Sequence, residues 1–302
     1  MGSQIEMVSV VRPRFSFYKG NSISLSARAA SQCLDDAGVD PGDIGILINT
    51  GIYRHKNIGE PAIAALIQEN IGANTVIDTD SGNFRSTFSF DLNNGGCGWL
   101  TGIHIIHESI NTEEISCGMV VTGDSDPFPG LSQGFAFETA AAAIILVRSN
   151  DPKGFTLFRS YTFPEYSQEL VSHSYYGHLR WKRNGNNLLL IQQKDSYLDL
   201  CVKCAAESLF SFLRESGYKF KDINLIIPSQ SPDGFVHKLM SIIGLSDSII
   251  EVPKTGNRIL HTAGPAFALK KAWDDNRFKA SKRVILITVG SGINVSVALY
   301  EN

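Results

Sequence analysis

The chain is written twice. Ser24 to Ala37 places Ala27, Ala30, Cys33, Leu34 and Ala37 on one helical face, Gly38 follows as a stop, and Asp43-Ile44 leads into the apolar run Ile46-Leu47-Ile48. The same order returns from Leu198 to Ile227. There Cys201, Ala205, Leu209, Phe212 and Leu213 stripe a helix, Gly217 stops it, and Asp222-Ile223 leads into Leu225-Ile226-Ile227. Asp-Ile lies the same distance beyond the glycine in both copies. Later in each half two strands follow one another: Met119 to Gly123 precedes Ala141 to Val147, and Val284 to Gly290 precedes Val295 to Leu299. A repeated unit of alternating helix and strand predicts an α/β protein of two similar, internally duplicated halves, 1–150 and 151–302.

A length of 302 residues suits such a pair, being about twice the ~150-residue prior for one domain. With 43% hydrophobic and 19% charged residues the chain can bury a large core. A net charge of -3 and the lack of any Lys/Arg run argue against a nucleic-acid binder. The apolar stretches, such as Ala140 to Val147, are far shorter than the ~18 residues of a membrane span. The N-terminus carries no apolar signal core, and five cysteines is an odd, modest number. A cytoplasmic protein with reduced thiols is expected.

Between the halves, residues 161–187 are rich in Tyr, His, Gly and Asn and show no clean periodicity. The stretch is long for a connection, and its aromatics (Tyr161, Phe163, Tyr166, Tyr175, Tyr176, Trp181) favour burial. It reads as an inserted lid, substrate loop or partner surface, with Tyr175, Tyr176 and His178 as candidate substrate contacts.

The chemistry concentrates in Phe88 to Ile106. A strand ends near Leu92, a glycine-bearing turn follows, and a helix opens near Cys97. A cysteine at a helix N-terminus sits in a field that favours its thiolate, so Cys97 is a nucleophile candidate. The glycines around it let backbone amides approach an oxyanion. Two later loops follow strand ends in the second half: Ile227-Pro228-Ser229-Gln230-Ser231-Pro232, and Thr255 to Gly264, which opens a helix from Pro265 to Trp273. Sites in α/β folds assemble at such strand ends.

On these residues the chain resembles the thiolase superfamily, and within it β-ketoacyl-ACP synthase III, over nearly its full length. Phe90-Asp91-Leu92 followed by Gly98-Trp99 matches the family's Phe-Asp-Leu/Val, three residues, Cys-x-Gly-Phe pattern. Pro228-Ser229-Gln230 matches Pro-His-Gln, and Gly256-Asn257 matches the Gly-Asn loop. Val289-Gly290-Ser291-Gly292 matches the glycine-rich loop before the last strand, and Phe137-Glu138-Thr139-Ala140 stands where Phe-Gly-Asp-Gly is usual. The resemblance implies a thiolase fold layered α-β-α-β-α. It also implies a dimer, and acyl-CoA or acyl-carrier thioesters as substrates with no tightly bound cofactor. In the family a Cys is acylated, and His with Asn polarises a malonyl thioester for decarboxylative condensation.

Carried over position by position, the nucleophile falls on Gly96, with Cys97 one residue late. Such a slip turns a side chain about 100° around a helix. The His position is Ser229, and a hydroxyl cannot do imidazole's proton chemistry near neutral pH. Asn257 supplies an amide, although counting back from the following helix puts Ile259 there. Arg12 to Ser24 is shorter than the family's coenzyme A-holding segment. Glycines 96, 290 and 292 remain to shape the site loops.

Two readings follow. In the first, the chain is a degenerate subunit that pairs, as a homodimer or heterodimer, with an active ketosynthase, possibly meeting acyl carrier protein. In the second, it is an acyltransferase or thioesterase with Cys97 as nucleophile and His261 as base, kept neutral by the following helix's N-terminal field. Arg54-His55-Lys56 offers a cationic contact for a phosphopantetheine or carrier. His104-x-x-His107, Cys201-x-x-Cys204 and Asp124-Ser125-Asp126 read as packing and turn residues rather than metal sites.

Overall fold

The computed structural model describes residues 2–13, 20–75, 86–151, 153–177, 186–244 and 246–302. In order these form β1 (Gly2–Val11), α1 (Ser22–Ala37), β2 (Ile46–Asn49), α2 (Ile63–Ile71), β3 (Phe88–Asp91), α3 (Gly98–Asn111), β4 (Cys117–Asp124), β5 (Ala140–Ser149) and β6 (Gly154–Thr162). Then come β7 (Leu170–Gly177), β8 (Asn186–Gln193), α4 (Tyr197–Ser216), β9 (Leu225–Pro228), α5 (Phe235–Ile243), α6 (Gly264–Asp274), α7 (Arg277–Ala280), β10 (Arg283–Gly290) and β11 (Asn294–Glu301).

The repeat seen in the sequence is a repeat in space. One sheet has the order β1-β5-β4-β2-β3 and the other β6-β11-β10-β9. In both, a parallel pair (β2 with β4, β9 with β10) is extended by two antiparallel strands. Where β3 lies in the first sheet, the second has a single parallel bridge between Ile226 and Ile249. Both halves use the same punctuation before the inner strand. Gly38 (φ 64°) and Gly217 (φ 76°) end α1 and α4 in the left-handed region that glycine enters without a Cβ penalty. A 3-10 turn then aims the chain into the sheet, at Pro41–Asp43 and at Phe220–Asp222.

Alternation along the strands builds five layers. On β5, Ala140, Ala142, Ile144 and Leu146 face inward to α3 and α6, while Ala141, Ala143 and Ile145 face α1 and α2. On β10, Val284 and Leu286 face inward, while Ile285, Ile287 and Val289 face α4 and α5. Strands buried on both faces lack a polar face, which is why they read as continuous apolar runs. The central layer belongs to both halves: Trp99, Leu100 and Ile103 of α3 share one cluster with Val8, Phe267 and Leu286.

The stretch read as an irregular insertion, 161–187, is over its described residues regular. It completes β6, makes a 3-10 turn at Pro164–Tyr166 and enters the β7–β8 hairpin, paired from Leu170–Gln193 to Gly177–Asn186. Leu188, Leu189 and Ile191 of β8 are buried, whereas Ser172 to Tyr175 of β7 lie outward. An outward strand carries no apolar alternation, so no period is visible there.

His107 shows what the central layer demands of a polar group. It is buried against Phe155 and Phe158, its Nδ1 lies 2.8 Å from Ser3 Oγ, and its Nε2 lies 2.9 Å from Asn111 Nδ2. Burial lowers its pKa from the ordinary 6.5. The unfolded chain therefore takes up this proton first, so stability is full above pH 6.5 and declines as the pH falls below it. Urea midpoints at pH 7.5 and 5.5 should show the loss. His107→Gln should flatten the slope by up to about 1.4 kcal/mol per pH unit, the limit for one group. An unchanged slope in that variant would show that His107 is not responsible.

Candidate active site

The site lies at the strand ends that both halves point toward one another. Asp91, last residue of β3, clamps the approach. Its carboxylate accepts the N–H groups of Ile63 (3.0 Å) and Ala64 (2.9 Å) at the start of α2 and the amide of Asn49 (3.0 Å), and pairs with Arg54 (3.1 Å). An acid at a helix N-terminus satisfies otherwise orphaned donors. Arg54, one of the cationic residues read as a carrier contact, is thus tied to this clamp.

After β3 the chain makes a 3-10 turn, Gly95–Cys97, and enters α3. The turn is pressed onto the end of β10. A Cβ on Gly96 would lie 2.3 Å from the Val289 carbonyl oxygen, and one on Gly290 would lie 2.7 Å from the Gly96 nitrogen. The position that alignment assigns to the nucleophile therefore has no room for a side chain. Cys97, rotated by one residue, points into the second sheet. It is fully buried, with its sulfur 3.4 Å from the carbonyl oxygen of Thr288 and 3.3 Å from that of Asn294. Burial pushes its thiol up to about 11.

The surroundings oppose the expected thiolate. A helix N-terminus contributes at most ~2 kcal/mol to an anion. Here the sulfur has lost all solvent and lies against two carbonyl oxygens, and burial outweighs the hydrogen bonds from Thr288 and Ser296 that favour the anion.

The other positions separate. Ser229 is buried, and its Oγ accepts the N–H of Val289 at 3.0 Å, so it ties the end of β9 to the end of β10. Asn257 is exposed in a turn closed by a Thr255–Arg258 bridge, with Gly256 at φ 66°. Gly292 (φ 128°) shapes the β10–β11 turn, where a Cβ would lie 2.8 Å from the side-chain nitrogen of Asn294. Tyr175 is exposed on β7. Tyr176 belongs to β7, but its side chain, like all of His178 and Trp181, lies outside the described residues.

His261 does not share its hydrogen bond with Cys97. Its Nδ1 lies 3.2 Å from Ser231 Oγ, and its ring is stacked on Phe137 (4.3 Å between centroids) and tilted against Tyr53 (5.3 Å). Burial lowers its pKa from the ordinary 6.5, with Asp124 pulling the other way. Asp124 is more than the turn residue it seemed. Its carboxylate accepts the N–H groups of Ile52 (3.0 Å), Tyr53 (2.9 Å) and Thr262 (3.0 Å) and the Thr262 hydroxyl (2.6 Å), joining three loops.

Leu189 and Ile191 of the hairpin close over Tyr53 and Phe137. Tyr197, at the start of α4, is buried beside Cys201, within electrostatic reach of Cys97 and Tyr53. Tyr53 and Tyr197 stand in no motif. The one sequence signal, an aromatic before Glu138 where the family pattern also has Phe, concerns Phe137 alone.

Comparison with known proteins agrees with this geometry. Residues 213–301 match the 3-oxoacyl-[acyl-carrier-protein] synthase III C-terminal family. The chain is 20% identical to a β-ketoacyl-[acyl-carrier-protein] synthase III of Rickettsia bellii, over 91% of this chain and 82% of that one. It superposes on the 3-oxoacyl-[acyl-carrier-protein] synthase III of Aquifex aeolicus with a TM-score of 0.78 at 15% identity, covering 100% of both chains. On Xanthomonas campestris OleA with bound lauric acid and lauroyl-CoA the TM-score is 0.79 at 17% identity, covering 100% of this chain and 99% of that one. The fold is that of the thiolase superfamily. Residues 213–301 carry the synthase III family match, and the whole chain has the fold of those synthases.

The closed turn makes a direct prediction. Gly96→Ala should force the turn off β10 and lower stability by about 1–3 kcal/mol, the usual cost of overpacking. Thermal or urea unfolding measures it, and a variant as stable as the parent would show that the contact yields freely.

Proposed function

We propose that this chain is the member of a two-chain condensing enzyme that does not itself carry out the condensation, in an assembly that handles acyl-CoA or acyl-carrier thioesters. The observation that carries the reading is the contact between Gly96 and Val289: the nucleophile position is filled by backbone, while the scaffold around it is intact. The buried Cys97 thiol and the replacement of the family's His by a strand-tying Ser229 support it. A covalent acyl intermediate needs a nucleophile that reaches the thioester with a base beside it. Neither condition is met at residues 96 and 97.

The partner surface follows from the sheet edge. β3 pairs with β2 on one side and is the last strand of its sheet. Phe88 at its start is 66% exposed, beside Phe90 with 5.2 Å between rings. Among the described residues no strand pairs with its other side, and an edge of that kind with an exposed aromatic offers backbone hydrogen bonds and apolar area to a second chain. The second copy or an active ketosynthase III is its occupant, and acyl carrier protein delivers substrate to that partner.

Light scattering on the protein alone and mixed with active ketosynthases of this family should give a two-chain particle. Phe88→Asp should return it to monomer with an unchanged circular dichroism spectrum. Monomer under every condition, or an acyl adduct on Cys97 after incubation with acyl-CoA, would overturn the reading.

A further inference from the structure

Away from the turn at residues 96 and 97, a serine hydroxyl and a histidine ring meet between two loops at the strand ends. We propose that Ser231 and His261 form an acyl-accepting pair for a small acyl thioester or ester, separate from the closed position at residues 96 and 97. Ser231 Oγ lies 3.2 Å from His261 Nδ1, within reach of proton transfer, and the two come from different loops, one after β9 and one before α6. Each loop is held by its neighbours. Gln230 donates to the carbonyls of Pro228 (3.0 Å) and Ile250 (3.1 Å) and accepts the N–H of Val252 (2.8 Å). Thr262 is fastened to Asp124 through both its N–H and its hydroxyl. The imidazole is fixed by Phe137 and Tyr53, and the Asp124 carboxylate favours the imidazolium that proton transfer would create.

Gln230, Ile259 and Leu260, neighbours of the pair along the two loops, line a small cleft together with Asp233, Lys254 and Arg258. Ser231 is 5% exposed, so a substrate carbonyl has to come in past these cleft residues to reach it.

The step balances as follows. With the His261 proton on Nε2, Ser231 Oγ bonds to the carbonyl carbon as its proton passes to Nδ1. The C–S bond then breaks, the departing thiolate takes that proton, and a thiol and an acyl-serine remain. Water attacks the acyl-serine by the same route in reverse, releasing a carboxylic acid and restoring the hydroxyl. The pair does not depend on the association proposed above, so either can fail without the other.

The test uses the full chain with acetyl-CoA, p-nitrophenyl acetate and an alkyl fluorophosphonate as probes, read by intact mass and by tandem mass spectrometry of the digest. The expected result is one adduct per chain on Ser231, absent in Ser231→Ala and retained in Cys97→Ala. In His261→Gln it should form about 100-fold or more slowly, the contribution of a general base. Localising the adduct in the parent protein keeps the test valid if Ser231→Ala does not fold. No adduct with any probe, an adduct at another residue, or an equal rate in His261→Gln would overturn the proposal.

Discussion

The carbonyl oxygen of Val289 occupies the space that a side chain at residue 96 would need, and the rest of the site is arranged around that contact. Because the turn before α3 rests on β10, its next residue, Cys97, is carried into the second sheet instead of toward a substrate. Gly290 has to be glycine for the same reason seen from the other side, since a Cβ there would meet the Gly96 nitrogen. Ser229 completes the closure by bonding the Val289 N–H from β9. A nucleophile, its base position and the glycine loop have become parts of one packed joint between the two halves.

The duplication explains why that joint is rigid. Both sheets send their inner strands toward the same end, and the shared layer of α3 and α6 locks them into one core. Interiors of this density do not yield gradually. The scaffold is retained, and with it β3 as the last strand of its sheet, while backbone fills the space at residue 96. This combination suits a subunit that shapes and supports a neighbour's reaction.

Much of the architecture was legible because it is local. Gly38 and Gly217, the following Asp-Ile steps and the double runs at 119–147 and 284–299 specify elements within a few residues of themselves. The central strands were legible from their continuous apolar character. The hairpin was not, because β7 faces outward and carries Ser172, His173 and Ser174 where a strand signal would need apolar alternation. Motif order carried the resemblance to the synthases III, since order survives substitution.

The site was legible as a place but not as a mechanism. Whether Cys97 faces substrate depends on one residue of register, about 100° of rotation, and a single sequence does not encode which way the turn leans. The partner of His261 came from a loop 30 residues earlier in the chain, and the aromatics that enclose it, Tyr53 and Phe137, come from the other half. The central claim is that the elbow sulfur is sealed, and the pH dependence of Cys97 alkylation by iodoacetamide in the native protein tests it most directly. Mass-spectrometric readout should find Cys97 unmodified at pH 8 and reactive only once the chain unfolds. Rapid alkylation near neutral pH would mean an accessible thiolate, and would contradict the account.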